Sequence, residues 1–280
     1  MNFILYFVII NSILGLFLRF IGFNLNLSYP FHFLGLFNHP NTVAFTFSFA
    51  IPILFYKYFT NQININKFIS FLIILSIALL LTLSRAGYIG ITISVLFIIY
   101  KKSKNLFVIS IILILLLFVL VISELLLFKG NSTLFRALLM YTAYEMIIAD
   151  QISFLWGYGV YNSIDVFKDE KIIFGNYERV PDPHNVFLLL GIQFGMIITL
   201  LVSLIFIIIL VKSYLSLKKQ TYTTQENQII ILSISICLGL FFQNQLEDII
   251  VYPEYFVMPL FLIFLGLLYR FNNYSKLKEI

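Results

Sequence analysis

Apolar runs of the length a bilayer demands recur along almost the whole of this chain, and no other feature restricts its fold so strongly. Inside hydrocarbon a backbone N–H or C=O finds no water. A spanning segment of about 20 apolar residues therefore satisfies its own hydrogen bonds as a helix. A hydropathy window gives eight expected spans, near Phe3–Phe23, Thr42–Phe59, Phe68–Leu83, Tyr88–Tyr100, Leu106–Phe128, Val186–Val211, Ile229–Gln245 and Tyr255–Tyr269. The fourth is short and is expected to begin inside Ser84-Arg85-Ala86-Gly87. Hydrophobic residues make up 61% of the chain and charged ones 11%. Ordinary soluble domains carry charge at about a quarter of their positions, so a water-soluble globule is excluded. The expected fold is an all-α, polytopic transmembrane bundle, one membrane domain over residues 1–280. The first segment lacks a basic start and a small-residue cleavage site, so it reads as a retained helix.

One long polar stretch, 129–184, interrupts the apolar pattern and holds Arg, His and carboxylates together. The lysines say which side it faces, because cytoplasmic loops retain basic residues. Lys57, Lys67, Lys101, Lys102, Lys104, Lys212, Lys218, Lys219, Arg270, Lys276 and Lys278 fall between alternate spans or in the tail. That side is read as cytoplasmic, with both termini, and 129–184 as an extracytoplasmic loop. The net charge of +5 is then a topology signal, and nucleic acid is not implied. Four of the five arginines lie on the outer side. A planar, bidentate donor suits the gripping of phosphate.

Within the outer stretch, Arg136, Leu139, Ala143 and Met146 recur at helical spacing, which predicts an amphipathic helix on the membrane face. Gly157-Tyr158-Gly159 breaks that helix. The loop from Gly159 to Pro183 is long enough to be an ordered functional element rather than a connector. The single cysteine, Cys237, sits in an apolar run and forms no intramolecular disulfide.

Four motifs stand in order along the chain: Gly35-Leu36-Phe37-Asn38-His39-Pro40-Asn41; Ser84-Arg85-Ala86-Gly87; Arg136 followed by Gly157-Tyr158-Gly159-Val160-Tyr161-Asn162; and Pro183-His184-Asn185 followed by Gly191 and Gly195. Together they resemble the O-antigen ligase and polymerase superfamily of integral membrane glycosyltransferases, over about Gly35 to Val211. Members usually have further helices before the first motif, so a short member, a fragment or a protein whose start has been placed late is expected. The family often has a second histidine two positions before the one in Pro183-His184-Asn185, where this chain has Asp182.

The resemblance implies transfer of an oligo- or polysaccharide from a polyprenyl diphosphate carrier to an acceptor hydroxyl at the outer leaflet. The acceptor is a lipid A-core sugar for a ligase, or a growing chain for an O-antigen, capsule or exopolysaccharide polymerase. The leaving group is an anion that guanidinium groups hold through paired hydrogen bonds. Arg85, Arg136 and Arg179 are the expected diphosphate-binding residues. His184 is the expected general base, since an imidazole of pKa about 6.5 takes a proton near neutrality. Direct attack inverts the anomeric carbon. Asn185, Asp182, Asn41 and Tyr158 are expected to support the site. No DxD or clustered His and carboxylate ligands call for a metal, and no cofactor is expected. The expected partners are the carrier-linked glycan, a lipid-linked or glycan acceptor and membrane lipid.

Structural roles compete for each residue. Arg85 could anchor a turn, and Arg136 could form a surface contact on its helix. Asn185 or Asp182 could cap the sixth span. His32 and His39 read as structural, and Asn41 as a cap or an internal hydrogen bond. Glu145, Asp150 and Asp165 read as solvated or as arginine partners, and Tyr158 and Tyr161 as sugar platforms or interfacial tyrosines. A flippase for lipid-linked sugars is the rival of another class; it calls for broken or charged helices near mid-membrane.

Overall fold

The computed structural model describes residues 1–21, 33–37, 39–111, 136–160, 162–163, 166, 183–217, 222–246 and 257–278. No strand occurs among them. The helices are α1 (Asn2–Phe20), α2 (Pro40–Phe59), α3 (Ile65–Thr82), α4 (Arg85–Lys102), α5 (104–111), α6 (136–148), α7 (Gln151–Trp156), α8 (Val186–Ser216), α9 (Thr224–Gln243) and α10 (Val257–Lys278). The chain is an all-α polytopic membrane protein. Among the described residues, α1, α2, α3, α8 and α9 are long and apolar enough to cross a bilayer. α4, the expected fourth span, has 18 residues and carries Arg85, Lys101 and Lys102 at its two ends. Most of the expected fifth span lies outside the described residues.

The helix ends follow local chemistry. The His39 side chain accepts the Asn41 N–H at 3.2 Å ahead of Pro40, which opens α2. A first-turn proline sacrifices only an N–H that the helix leaves orphaned. Asn64 accepts the Lys67 N–H at 2.9 Å to start α3. Leu83, in the left-handed region at φ 54, ends it, and Ser84 caps α4 by accepting the Gly87 N–H at 3.3 Å. α9 opens on a reciprocal capping box: Thr223 donates its N–H to Glu226 Oε2 at 2.8 Å, and the Glu226 N–H returns to Thr223 Oγ1 at 3.3 Å.

The chain divides into two compact units. The first comprises Met1–Val108, Ile209–Gln243 and Pro253–Ile280. α2 is its centre, with 83% of its span buried by protein against 22% for α3. Lipid tails are as apolar as leucine, so helices here are held by close approach and hydrogen bonds rather than by hydrophobicity. α4 and α9 use both. Ser94 donates to the Ser235 carbonyl at 2.8 Å and Ser235 to the Ser94 carbonyl at 3.0 Å. Each such bond contributes about 0.6 kcal/mol on average. Beside them a Cβ on Gly239 would strike Ser94 Oγ and the Gly90 carbonyl.

The second unit comprises Ile109–Ile208 and Asn244–Tyr252. Its described core is the cluster Leu139, Ala143, Met146, Ile147 and Ile192, with Tyr158, Leu188 and Met196 packed around it. The periodicity of α6 is therefore observed, and its apolar face is covered by α8.

Candidate functional site

The bend before α8 is built by three residues. His184 is half-buried and sits in the left-handed region at φ 52, a conformation that strains a residue with a Cβ by about 1–2 kcal/mol. Asn185 makes the bend hold. Its Oδ1 accepts the N–H groups of Phe187 at 3.0 Å and Leu188 at 3.1 Å, capping α8. Its Nδ2 donates to the Gln245 carbonyl at 2.9 Å. The Val186 N–H donates to the Asn244 carbonyl at 3.0 Å.

Arg136 reaches the same turn from α6. Its Nη1 donates to the Leu246 carbonyl at 3.1 Å. Three consecutive carbonyls, of Asn244, Gln245 and Leu246, thus receive donors from Val186, Asn185 and Arg136. They follow directly on the end of α9, where outward carbonyls attract a cation. Arg136 and the His184 bend, 48 positions apart in the chain, are brought together on one turn. Sequence reasoning missed that turn. Its one signal is the amide-rich Gln243-Asn244-Gln245 closing an apolar span.

The glycine motifs are the two sides of one backbone junction. Gly157 has φ +70, and a Cβ there would lie 2.6 Å from the Gly195 nitrogen. Gly195 has φ +77 and kinks α8, and its Cβ would strike the Leu155 carbonyl. The Tyr158 N–H donates to the Ile192 carbonyl at 2.7 Å and the Gly159 N–H to that of Gln193 at 2.9 Å. The kink frees these α8 carbonyls from helical pairing, and the 157–159 segment takes them up. The Tyr158 hydroxyl donates to the Met146 carbonyl at 3.2 Å, which ties the ring to the unit's core.

The carboxylates nearby serve α6 and α7. Asp150 caps α7: Oδ1 accepts the N–H groups of Ile152 and Ser153, both at 2.8 Å, and Oδ2 accepts the Ser153 hydroxyl at 2.7 Å. These bonds, the Ser153 hydroxyl first, hold its pKa below the ordinary aspartate value. Glu145 is exposed beside Tyr141, and its hydrogen bond and charge raise the tyrosine's pKa.

Two further predicted residues lie in the first unit. Arg85 is the half-buried first residue of α4, in the turn shaped by Leu83 and Ser84. Asn41 is buried in the first turn of α2. The cap there comes from the His39 ring, not from the Asn41 side chain. A Cβ on Gly87 would lie 2.7 Å from the Ala44 Cβ, so the opening turns of α2 and α4 lie side by side. Asn11 of α1, 1% exposed, accepts the Leu36 N–H at 2.8 Å and pins the loop before α2. Arg179 and Asp182 lie outside the described residues, as do His32, Tyr161 and Asp165.

The family model described as O-antigen ligase matches residues 70–203. This stretch is similar to the O-antigen ligase family. The matched O-antigen ligase segment begins within α3 and runs into α8, and it includes Arg85, Arg136, Gly157, Tyr158, Gly159, His184, Asn185 and Gly195. Asn41 and the turn at 244–246 flank it. Over that stretch the chain is similar to membrane proteins of the O-antigen ligase family. Neither a curated protein nor a solved structure matches it.

Proposed function

We propose that this protein is a glycosyltransferase of a bacterial cytoplasmic membrane. It moves an oligo- or polysaccharide from a polyprenyl diphosphate carrier to an acceptor hydroxyl on the outer face, with the lipid A-core sugar as acceptor. The supporting observation is the shared turn: Arg136 and Asn185, the neighbour of His184, donate to adjacent carbonyls at 3.1 and 2.9 Å.

The chemistry needs two groups within reach of one reacting centre. The acceptor oxygen must lose its proton as it attacks, and the departing diphosphate must be held as an anion. His184 takes the proton and Arg136 holds the phosphate oxygens; for Arg85 and Arg179 the diphosphate-binding role rests on the family resemblance alone. Attack of the acceptor oxygen on the anomeric carbon forms the new glycosidic bond as the carbon–oxygen bond to diphosphate breaks. The anomeric configuration inverts. A helix N-terminus such as that of α8 also favours a nearby anion. A growing glycan chain in place of the lipid-linked sugar makes the same chemistry a polymerase.

Deletion of the gene followed by electrophoresis of the surface glycan tests the reading. Polymer missing from the lipid core, with carrier-linked chains intact, is the expected result. Single-repeat products would assign a polymerase, and an unchanged ladder would overturn both. Complementation with His184→Ala or Arg136→Ala should fail to restore transfer at normal membrane levels, whereas Lys67→Ala should restore it. Full transfer by the His184 variant would remove the base assignment.

A further inference from the structure

The lysine-rich end of the first unit contains a cleft that the transferase chemistry does not use. It lies between the end of α2, the end of α4 and the start of α9 and is open to solvent. Phe59 and Ile98 form apolar walls, Tyr56 and Gln228 offer polar groups, and Lys101 and Lys102 supply charge. No carboxylate stands among the described lining residues.

Aromatic rings hold the two ammonium groups at this cleft. Lys101 Nζ lies 3.9 Å from the centre of the Tyr214 ring and 5.8 Å from those of Phe97 and Tyr100. Lys102 Nζ lies 5.9 Å from the Phe59 ring. A ring quadrupole attracts and orients a cation. The macrodipole of α4 accounts for lysines at its C-terminus, but not for a walled cleft beside them. A ligand that matches the whole site needs an anionic oxygen cluster, hydrogen-bond acceptors and an apolar remainder.

We propose that this cleft binds the phosphate of an anionic phospholipid headgroup. A basic pocket beside apolar helix ends at the headgroup level of a bilayer meets such lipids at high local concentration. The Lys101 and Lys102 ammonium groups pair with the phosphate oxygens, Gln228 and the Tyr56 hydroxyl hydrogen-bond the headgroup, and Phe59 and Ile98 line the glycerol and upper acyl carbons. The inference needs the membrane reading but nothing from the transferase assignment.

The test is thermal stability of the purified full-length protein in phosphatidylcholine nanodiscs, alone and with increasing phosphatidylglycerol. Phosphatidylglycerol should raise the melting temperature saturably. Lys101→Gln/Lys102→Gln should weaken the apparent affinity about 30-fold, at about 1 kcal/mol for each basic residue beside an anionic surface. Lys101→Arg/Lys102→Arg should retain the shift, and so should Lys212→Gln, an exposed lysine of α8 outside the cleft. If the glutamine pair does not fold, Gln228→Leu should still reduce the affinity. An equal shift in native and cleft variants would overturn the site. Full reproduction of the shift by inorganic phosphate in pure phosphatidylcholine would assign the cleft to soluble phosphate instead and overturn the lipid.

Discussion

Replacing Gly195 with alanine strikes the second unit at its narrowest point. Two effects add. The residue has φ 77 and ψ 169, a region in which a side chain adds about 1–3 kcal/mol of strain. The new Cβ would also meet the Leu155 carbonyl and lie 2.5 Å from the Trp156 nitrogen. Both are backbone atoms that no rotamer change moves aside, and overpacking of that kind costs about 1–3 kcal/mol. The sum is about 2–6 kcal/mol. Gly159→Ala separates the two, because Gly159 has φ +79 but nothing within 4 Å of its Cβ position; strain alone predicts about 1–3 kcal/mol. Gly266→Ala in α10 meets neither obstacle and should gain about 0.5–1 kcal/mol of helix propensity. Heating the detergent-solubilised full-length variants and measuring the folded fraction by fluorescence-detected size exclusion should rank them Gly266→Ala, native, Gly159→Ala, Gly195→Ala from most to least stable. At about 2–4 °C per kcal/mol the extremes differ by on the order of 10 °C. A Gly195→Ala protein as stable as Gly159→Ala would refute the tight backbone contact.

Three other outcomes are expected. Asn185→Asp keeps an oxygen to cap α8 but has no donor for the Gln245 carbonyl, so transfer should fall at least tenfold in kcat while Asn185→Ala loses both transfer and about 1 kcal/mol of capping; unchanged kcat for the aspartate variant would show that the link to the 244–246 turn is dispensable. Arg85→Lys should impair transfer nearly as much as Arg85→Ala, since a point charge cannot reproduce a bidentate fork, and near-normal activity with lysine would leave Arg85 as a turn anchor. The lowered pKa of Asp150 means that its capping contribution is complete above the ordinary value of 3.8 and is lost as the pH falls through the lower folded value; the stability gap between native protein and Asp150→Ala, measured as melting temperature against pH, should therefore narrow only in that acid range, and a gap independent of pH would contradict the carboxylate's role.

Much of the architecture is legible in the linear chain because the bilayer leaves so few solutions. A run such as Val186–Ser216 must be helical wherever it lies in hydrocarbon, and Ser84 before Arg85 marks a helix start by its side-chain oxygen alone. The periodicity of Leu139, Ala143 and Met146 is likewise a local property, which is why α6 was expected. The identity of what covers that face is not local, and Ile192 supplies it only because α8 packs there.

The glycine motifs and the bend at Pro183-His184-Asn185 show where linear reading stops. From sequence, Gly157 is a helix breaker and Gly195 a glycine in a span; their close approach, which leaves no room for a Cβ on either, exists only once α8 kinks against the 157–159 segment. His184, Arg136 and Asn185 stand out in the linear chain by the motifs that carry the family resemblance. The turn at 244–246 that joins them comes from the far end of α9, and its three carbonyls are backbone groups that no residue type announces. Hydropathy and charge, properties each residue carries wherever it lies, determined the helical membrane character, and the order of short motifs along the chain pointed to the candidate side chains. Which of those side chains share a surface depends on distances between segments far apart in the chain, and only tertiary packing decides them.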